Sequence, residues 1–206
     1  MFLVNSMFYL PMFEELKSYL NNISVFLDEK AAHLKQNQPP DYMDHDSQAE
    51  HALTVEQYEE QFPVLLANSF IIVLVSTLER ELSTYCNTAT EVGSLAIKSS
   101  DLSGRFHEQF KVYLSKVVRM PIDFKSNSWA DIKGLIEVRN TIVHNDGTLE
   151  TDTSRKRVIL NLYERYPTLN IKGNVLRPTI PFCNQMVQVV HDFLATIAKT
   201  ADEHFK

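Results

Sequence analysis

Residues 129–147 read WADIKGLIEVRNTIVHNDG, and the order of apolar and polar side chains in them sets the class of the whole chain. At about 100° per residue, Trp129, Ile132, Leu135, Ile136, Val138, Ile142 and Val143 fill one half of a helical wheel. Ser126 or Ser128 can accept hydrogen bonds from the free amides of the first turn. Asn145, Asp146 and Gly147 provide the stop, because glycine tolerates the left-handed conformation that closes helices. Arg139 falls near the middle of the apolar half. A guanidinium there is costly unless it is paired or does chemistry. Glu79 and Glu137 are the acids that could pair with it. Asn140 and His144 stand one turn apart, just beyond the border of the same face.

The remainder of the chain is read outward from this helix. A helix with a narrow apolar seam is expected from about Pro11 to Gln36, on Phe13, Leu16, Leu20, Ile23 and Leu27, with Pro11 in its first turn. It packs either on its own bundle or on a second subunit. Residues 37–53 read as a polar linker broken by Pro39-Pro40. Within it Asp44, His45, Asp46 and His51 have metal-ligand side chains, but a flexible acidic loop is a poor cage, and no metal or cofactor is expected. Thr54 and Gln57 form a capping box for the next helix. Phe62 to Cys86 is apolar around much of its circumference, as in a central bundle helix. Asn87 to Ser99 reads as a connection, and Ser100 or Asp101 as the cap of a helix over Leu102–Val118. After the 129–146 helix come a short helix over Val158–Tyr166, a hairpin turning at Gly173-Asn174 and a last helix from Pro181 to about Glu203. The fold class is therefore all-α: an up-and-down bundle of about five or six helices with a small β-hairpin before the last one. Residues 54–206 form the bundle.

Composition narrows the function. The chain has 206 residues, a formal net charge of −6, five glycines and eight prolines, so it is neither fibrous nor globally attracted to nucleic acid. RNA binding would need a local basic patch, for which Lys111, Lys116, Arg119, Lys125 and Lys133 are the candidates. Two cysteines, Cys86 and Cys183, without ligand spacing suit buried packing in a reducing compartment. The apolar start lacks a basic flank and a cleavage site. The run from Phe62 to Leu78 is interrupted by Asn68 and by hydroxyl residues, short of the ~20 apolar residues of a membrane span. A protein off the membrane, in the cytoplasm, is expected.

Arg139-Asn140-Thr141-Ile142-Val143-His144 is R-N-x-x-x-H on a late helix of an all-helical chain. With the flanking Glu137-Val138 and Asn145-Asp146-Gly147, it resembles the motif helix of HEPN-domain proteins, over residues 54–206. The resemblance implies metal-independent RNA cleavage by 2′-hydroxyl attack, leaving a 2′,3′-cyclic phosphate. Arg139, Asn140 and His144 would be catalytic, with Glu79, Asn145 and Asp146 supporting them. It further implies RNA as partner, a homodimer with a composite active site, and an antitoxin or other regulatory protein, in toxin–antitoxin control or phage defence. The competing reading is a non-catalytic helical binding or scaffold module. In that case Arg139 pairs with Glu79 and does nothing more.

Overall fold

The computed structural model describes residues 2–39, 45–151 and 154–206, with residues 2–10 as backbone alone. It is an all-α bundle with a two-stranded antiparallel hairpin before the last helix, as the sequence predicts. The helices are α1 (Phe2–Gln36), α2 (His45–Glu56), α3 (Phe62–Val92), α4 (Phe106–Val112), α5 (Asn127–Asn145), α6 (Ser154–Arg165) and α7 (Ile180–His204). Strands β1 (Ile171–Lys172) and β2 (Val175–Leu176) pair with Ile171 opposite Leu176, and Gly173 turns the chain with φ of 65°.

Helices α1 and α7 lie antiparallel. Phe13 meets the His191 ring edge-on, Lys17 bonds Gln188 at 3.3 Å, and Asn184 bonds Asn21 at 3.0 Å, so rising numbers on one helix meet falling numbers on the other. Pro11 lies inside α1 rather than in its first turn. Its ring removes one backbone donor there and crowds the preceding turn.

Several boundaries differ from the sequence reading. Residues 45–53, expected to be linker, begin α2. Thr54 does not open a helix, because its hydroxyl donates back to the Glu50 carbonyl at 2.9 Å, the usual habit of a mid-helix threonine. A single π-turn, Gln57–Gln61, joins α2 to α3 and delivers Pro63 to the first turn of α3, where its missing N–H is harmless. Helix α3 continues past Cys86 to Val92 through residues expected to be a connection. There the Thr84, Thr88 and Thr90 hydroxyls donate to carbonyls four residues back, so the polar residues cost the helix little. The helix expected over 102–118 starts at Phe106, because Gly104 turns the backbone with φ of 111°. It ends in a second π-turn, Tyr113–Val117. Asp101 instead closes a short 3₁₀ turn by accepting the Lys98 amide.

Helix α3 lends Ala67, Phe70, Ile71, Leu74, Val75 and Leu78 to the core, and α7 faces it with Phe182, Cys183, Met186, Val190 and Leu194. Both cysteines are buried and free. Burial pushes each thiol up to about 12. The continuous helical stretch His45–Val92 is long and apolar enough to cross a membrane by length and composition. Its most apolar window has a mean hydropathy of 1.8 and is 44% buried.

Candidate functional site on helix α5

Ser126 caps α5, its hydroxyl accepting the Trp129 amide at 3.3 Å. Asp146 takes the left-handed conformation at the far end (φ 48°), followed by Gly147 (φ 77°). Trp129 then anchors the first turn in an aromatic cluster. Its ring stacks on Phe193 of α7 at 5.6 Å and meets Phe124 and Phe110 edge-on or tilted at 5.1 and 6.1 Å.

The helix is buried around far more of its circumference than the apolar half predicts. Trp129, Ile132, Leu135, Ile136, Val138 and Ile142 are buried as expected, but so are Asp131, Gly134, Glu137 and Thr141. Gly134 makes room for α6: a Cβ there would lie 3.0 Å from the Leu162 Cβ. The two carboxylates on this side are matched by arginines. Asp131 accepts from Arg165 Nε at 2.7 Å and from the Tyr166 hydroxyl at 2.9 Å. Burial, and the bond to that carboxylate, push the Tyr166 phenol up to about 12. Glu137 accepts from Arg105 Nη1 at 2.7 Å and has Arg155 Nε at 3.7 Å, too long for a hydrogen bond and close enough for a Coulombic contact. Its Oε2 has no hydrogen-bond donor. Next to this group, His107 on α4 is buried, which lowers its pKa; Glu108 and Glu137 oppose the shift.

At its C-terminal end α5 opens to solvent. Val143 is 46% exposed, against the expectation that it joins the core, although Thr141 and Ile142 before it are buried. His144 and Asp146 are exposed, and Asn140 and Asn145 are half-buried. Asn145 donates to Glu150 at 3.0 Å and so holds the following loop. Arg139 borders this opening with its side chain 21% exposed, and its Nη2 donates to Glu79 Oε1 of α3. Of the two acids that could have taken it, Glu79 does; Glu137 belongs to Arg105 and Arg155. The Arg139 Nε is sealed from solvent with no acceptor.

The structure therefore brings Arg139, Asn140, His144 and Glu79 to one end of α5. It does not bring the basic set to them. Lys125 precedes α5 and Lys133 sits in its first half, so His144 lies about 16 Å further along the axis at ~1.5 Å per residue. Lys111 and Lys116 follow Phe110, which the Trp129 contact pins to the same early turn. Lys111, Lys116, Arg119 and Lys125 are exposed and Lys133 is half-buried. The residues that sequence reasoning missed are Asp131, Arg105 and Arg165, and Glu137 was considered only as a partner for Arg139. The available signal was Gly134, since a mid-helix glycine costs about 1 kcal/mol and commonly marks a close neighbour.

Among the described residues no group of three or more His, Cys, Asp or Glu is placed to hold a metal ion. Asp44 of the Asp44–His51 cluster lies outside the described residues. A cleft of about 670 Å³ lies away from α5, between α1, the start of α3 and the start of α7, with Asp28 and Glu60 on one wall and Arg177 on another. No family model, curated protein or solved structure matches the chain.

Proposed function

We propose that this chain is a metal-independent endoribonuclease whose site is the open C-terminal end of α5. The observation that carries the reading is the state of Arg139. A guanidinium built only to tie two helices together would have its donors satisfied. This one gives a single nitrogen to Glu79 and keeps a buried Nε without an acceptor, at the edge of an opening that also holds Asn140 and His144. The R-N-x-x-x-H pattern and its resemblance to HEPN motif helices point the same way.

In the reaction the RNA 2′-hydroxyl attacks the adjacent phosphorus. The P–O bond to the 5′-oxygen breaks, giving a 2′,3′-cyclic phosphate and a 5′-hydroxyl. The 2′-proton leaves to a base and the departing oxygen gains a proton from an acid. His144, exposed at the end of α5, is the side chain placed to take up and return these protons. Arg139 neutralises the charge that develops on the phosphorane oxygens. Asn140 orients the imidazole or holds a phosphate oxygen. Arg139 and His144 diverge by about 140° on the wheel, so a site in which both touch one phosphate draws them from two copies of the chain. Release of such an activity in a cell calls for a neutralising partner, as for a toxin and its antitoxin.

A second reading has its own observation. Glu79 neutralises Arg139 within one chain, which suits a non-catalytic helical binding module. Incubating the pure chain with total RNA in EDTA separates them. Cleavage ending in cyclic phosphates, lost in Arg139→Ala and His144→Ala with the fold intact, supports the enzyme. RNA left whole by the wild type leaves the binding module.

A further inference from the structure

The arginines that share a face with His144 are not the one in its own motif. Lys133, Glu137, Asn140 and His144 follow one another at steps of four, three and four, so they fall within about 60° of one another on the wheel. Arg139 is directed elsewhere, to Glu79 of α3. Two other arginines come onto the His144 face from neighbouring elements. Arg105, just before α4, gives Nη1 to Glu137 Oε1 at 2.7 Å. Arg155, in the first turn of α6, brings Nε to 3.7 Å from Oε2 of the same carboxylate. Glu137 is 5% exposed, whereas the two arginine side chains are 49% and 42% exposed. The acid therefore lies beneath, and the guanidinium groups lie above it on the solvent side.

One carboxylate between two guanidinium groups leaves a positive charge over. Arg105 keeps Nε and Nη2, and Arg155 both Nη atoms, without an acceptor among the described residues. Lys133, half-buried, stands one turn earlier on the same face. Burial lowers the His107 pKa, Glu108 and Glu137 oppose this, and Arg105 and Lys133 lower it further, so all four charges act at one place. Two further acids flank the group. Glu108 accepts the Arg105 amide at 3.3 Å and Glu150 accepts from Asn145 at 3.0 Å; neither bonds an arginine side chain. An anion on this face thus meets fixed forks of N–H donors rather than a large excess of charge. Forks of that shape match the two unesterified oxygens of a phosphodiester. From Glu137, Asn140 follows at ~4.5 Å and His144 at ~10.5 Å along the axis. A strand lying on this face with its scissile bond at His144 carries another backbone phosphate over the arginines.

We propose that Arg105 and Arg155 clamp a phosphate of the RNA strand that flanks the cleaved bond, with Glu137 as the positioning residue beneath them and Lys133 extending the path. The proposal rests on the nuclease reading for what happens at His144, while the clamp stands on the Glu137 cluster. It supplies the local basic patch that RNA binding requires of a chain with net charge −6.

The test is binding of a 2′-O-methyl oligoribonucleotide, which lacks the attacking hydroxyl and stays whole, by fluorescence anisotropy over a salt series, with circular dichroism as the check on folding. Arg155→Ala weakens binding about 10-fold for any sequence and lowers the slope of log K against log salt by about 0.7. Arg105→Ala alone would leave a buried carboxylate bare, so it is made with Glu137→Gln and compared with Glu137→Gln; the same losses are expected. Arg155→Lys keeps the slope and loses affinity, since the charge remains and the fork does not. Glu137→Gln alone also keeps the slope and weakens binding about 3-fold, although it removes a negative charge, because the guanidinium groups lose their support; tighter binding would overturn its positioning role. Variants at Arg105 and Arg155 that bind like the wild type at every salt concentration overturn the clamp. So does a wild type that binds no oligonucleotide, or one that holds polyglutamate as tightly through the same arginines, which gives the face to an acidic protein. Binding that depends on both arginines in a chain that leaves RNA whole overturns the nuclease and keeps the clamp; RNA cleavage indifferent to both does the reverse.

Discussion

The pair between Arg139 and Glu79 is the contact on which the two functional readings divide, and a double-mutant cycle measures it. The side chains are 21% and 30% exposed, between the surface and the core. Fully exposed pairs couple by about 0.2–1 kcal/mol, and breaking a fully buried one costs about 3–5 kcal/mol. With a fifth to a third of each partner wetted, the coupling expected from Arg139→Ala, Glu79→Ala and the double variant is about 1–2 kcal/mol. For a chain of this size that corresponds to a fall in melting temperature of about 2–8 °C for either single variant, and a double variant little worse than either. Urea denaturation followed by circular dichroism reads the cycle. Arg139→Met sharpens it. If the guanidinium is there only for Glu79, replacing both partners (Arg139→Met with Glu79→Leu) keeps or raises stability and no activity changes. If it serves the phosphate, Arg139→Met abolishes RNA cleavage whatever it does to stability. A coupling below about 0.3 kcal/mol would refute the geometry, because additivity within that margin is what unconnected residues show.

Gly134→Ala tests the approach of α6. The gain in helix propensity of about 1 kcal/mol is set against overpacking of about 1–3 kcal/mol on Leu162, so a net loss of about 1 kcal/mol is expected in the same urea assay. His107 makes stability fall in mild acid. Its folded pKa lies below the unfolded value of 6.5, so the stabilising contribution is present above pH 6.5 and is lost as pH falls towards the folded pKa. His107→Phe should flatten that decline, and an unchanged urea midpoint between pH 7 and pH 5 in the wild type would contradict it. The two thiols, pushed up to about 12, should react with an aromatic disulfide reagent at pH 8 only as fast as the protein opens; immediate labelling of either would show that it is not buried.

The sequence carried the helices through their apolar spacing and caps: Ser126, Asp146 and Gly147 end α5 where their chemistry says they should. The hairpin was legible from Gly173-Asn174. What was hidden shared one cause. A wheel assigns polar residues to water, whereas Asp131, Glu137 and Thr141 are buried, the two acids against arginines from other elements. No pattern within α5 reveals partners that lie 34 and 35 residues away in sequence, as Arg165 and Tyr166 do from Asp131, or 32 away, as Arg105 does from Glu137. The same limit applied to Val143, which the wheel places with the core and the fold leaves 46% exposed. The motif residues were legible as a group, but the choice of Glu79 over Glu137 as the partner of Arg139 needed three dimensions. The π-turns at Gln57–Gln61 and Tyr113–Val117 have no sequence marker in this chain.

The antiparallel contact of α1 with α7 has a consequence for biosynthesis. Helix α1 packs more extensively on α7 than on any other element, with Phe13 against His191, so part of its buried face waits for the helix from Ile180 to His204. A ribosome adding residues at ~5–20 per second needs on the order of 10 s to pass from Gln36 to Ile180. Throughout that interval the face of the first helix that packs on α7 stays uncovered on the nascent chain, so that contact forms only after synthesis has passed Ile180–His204.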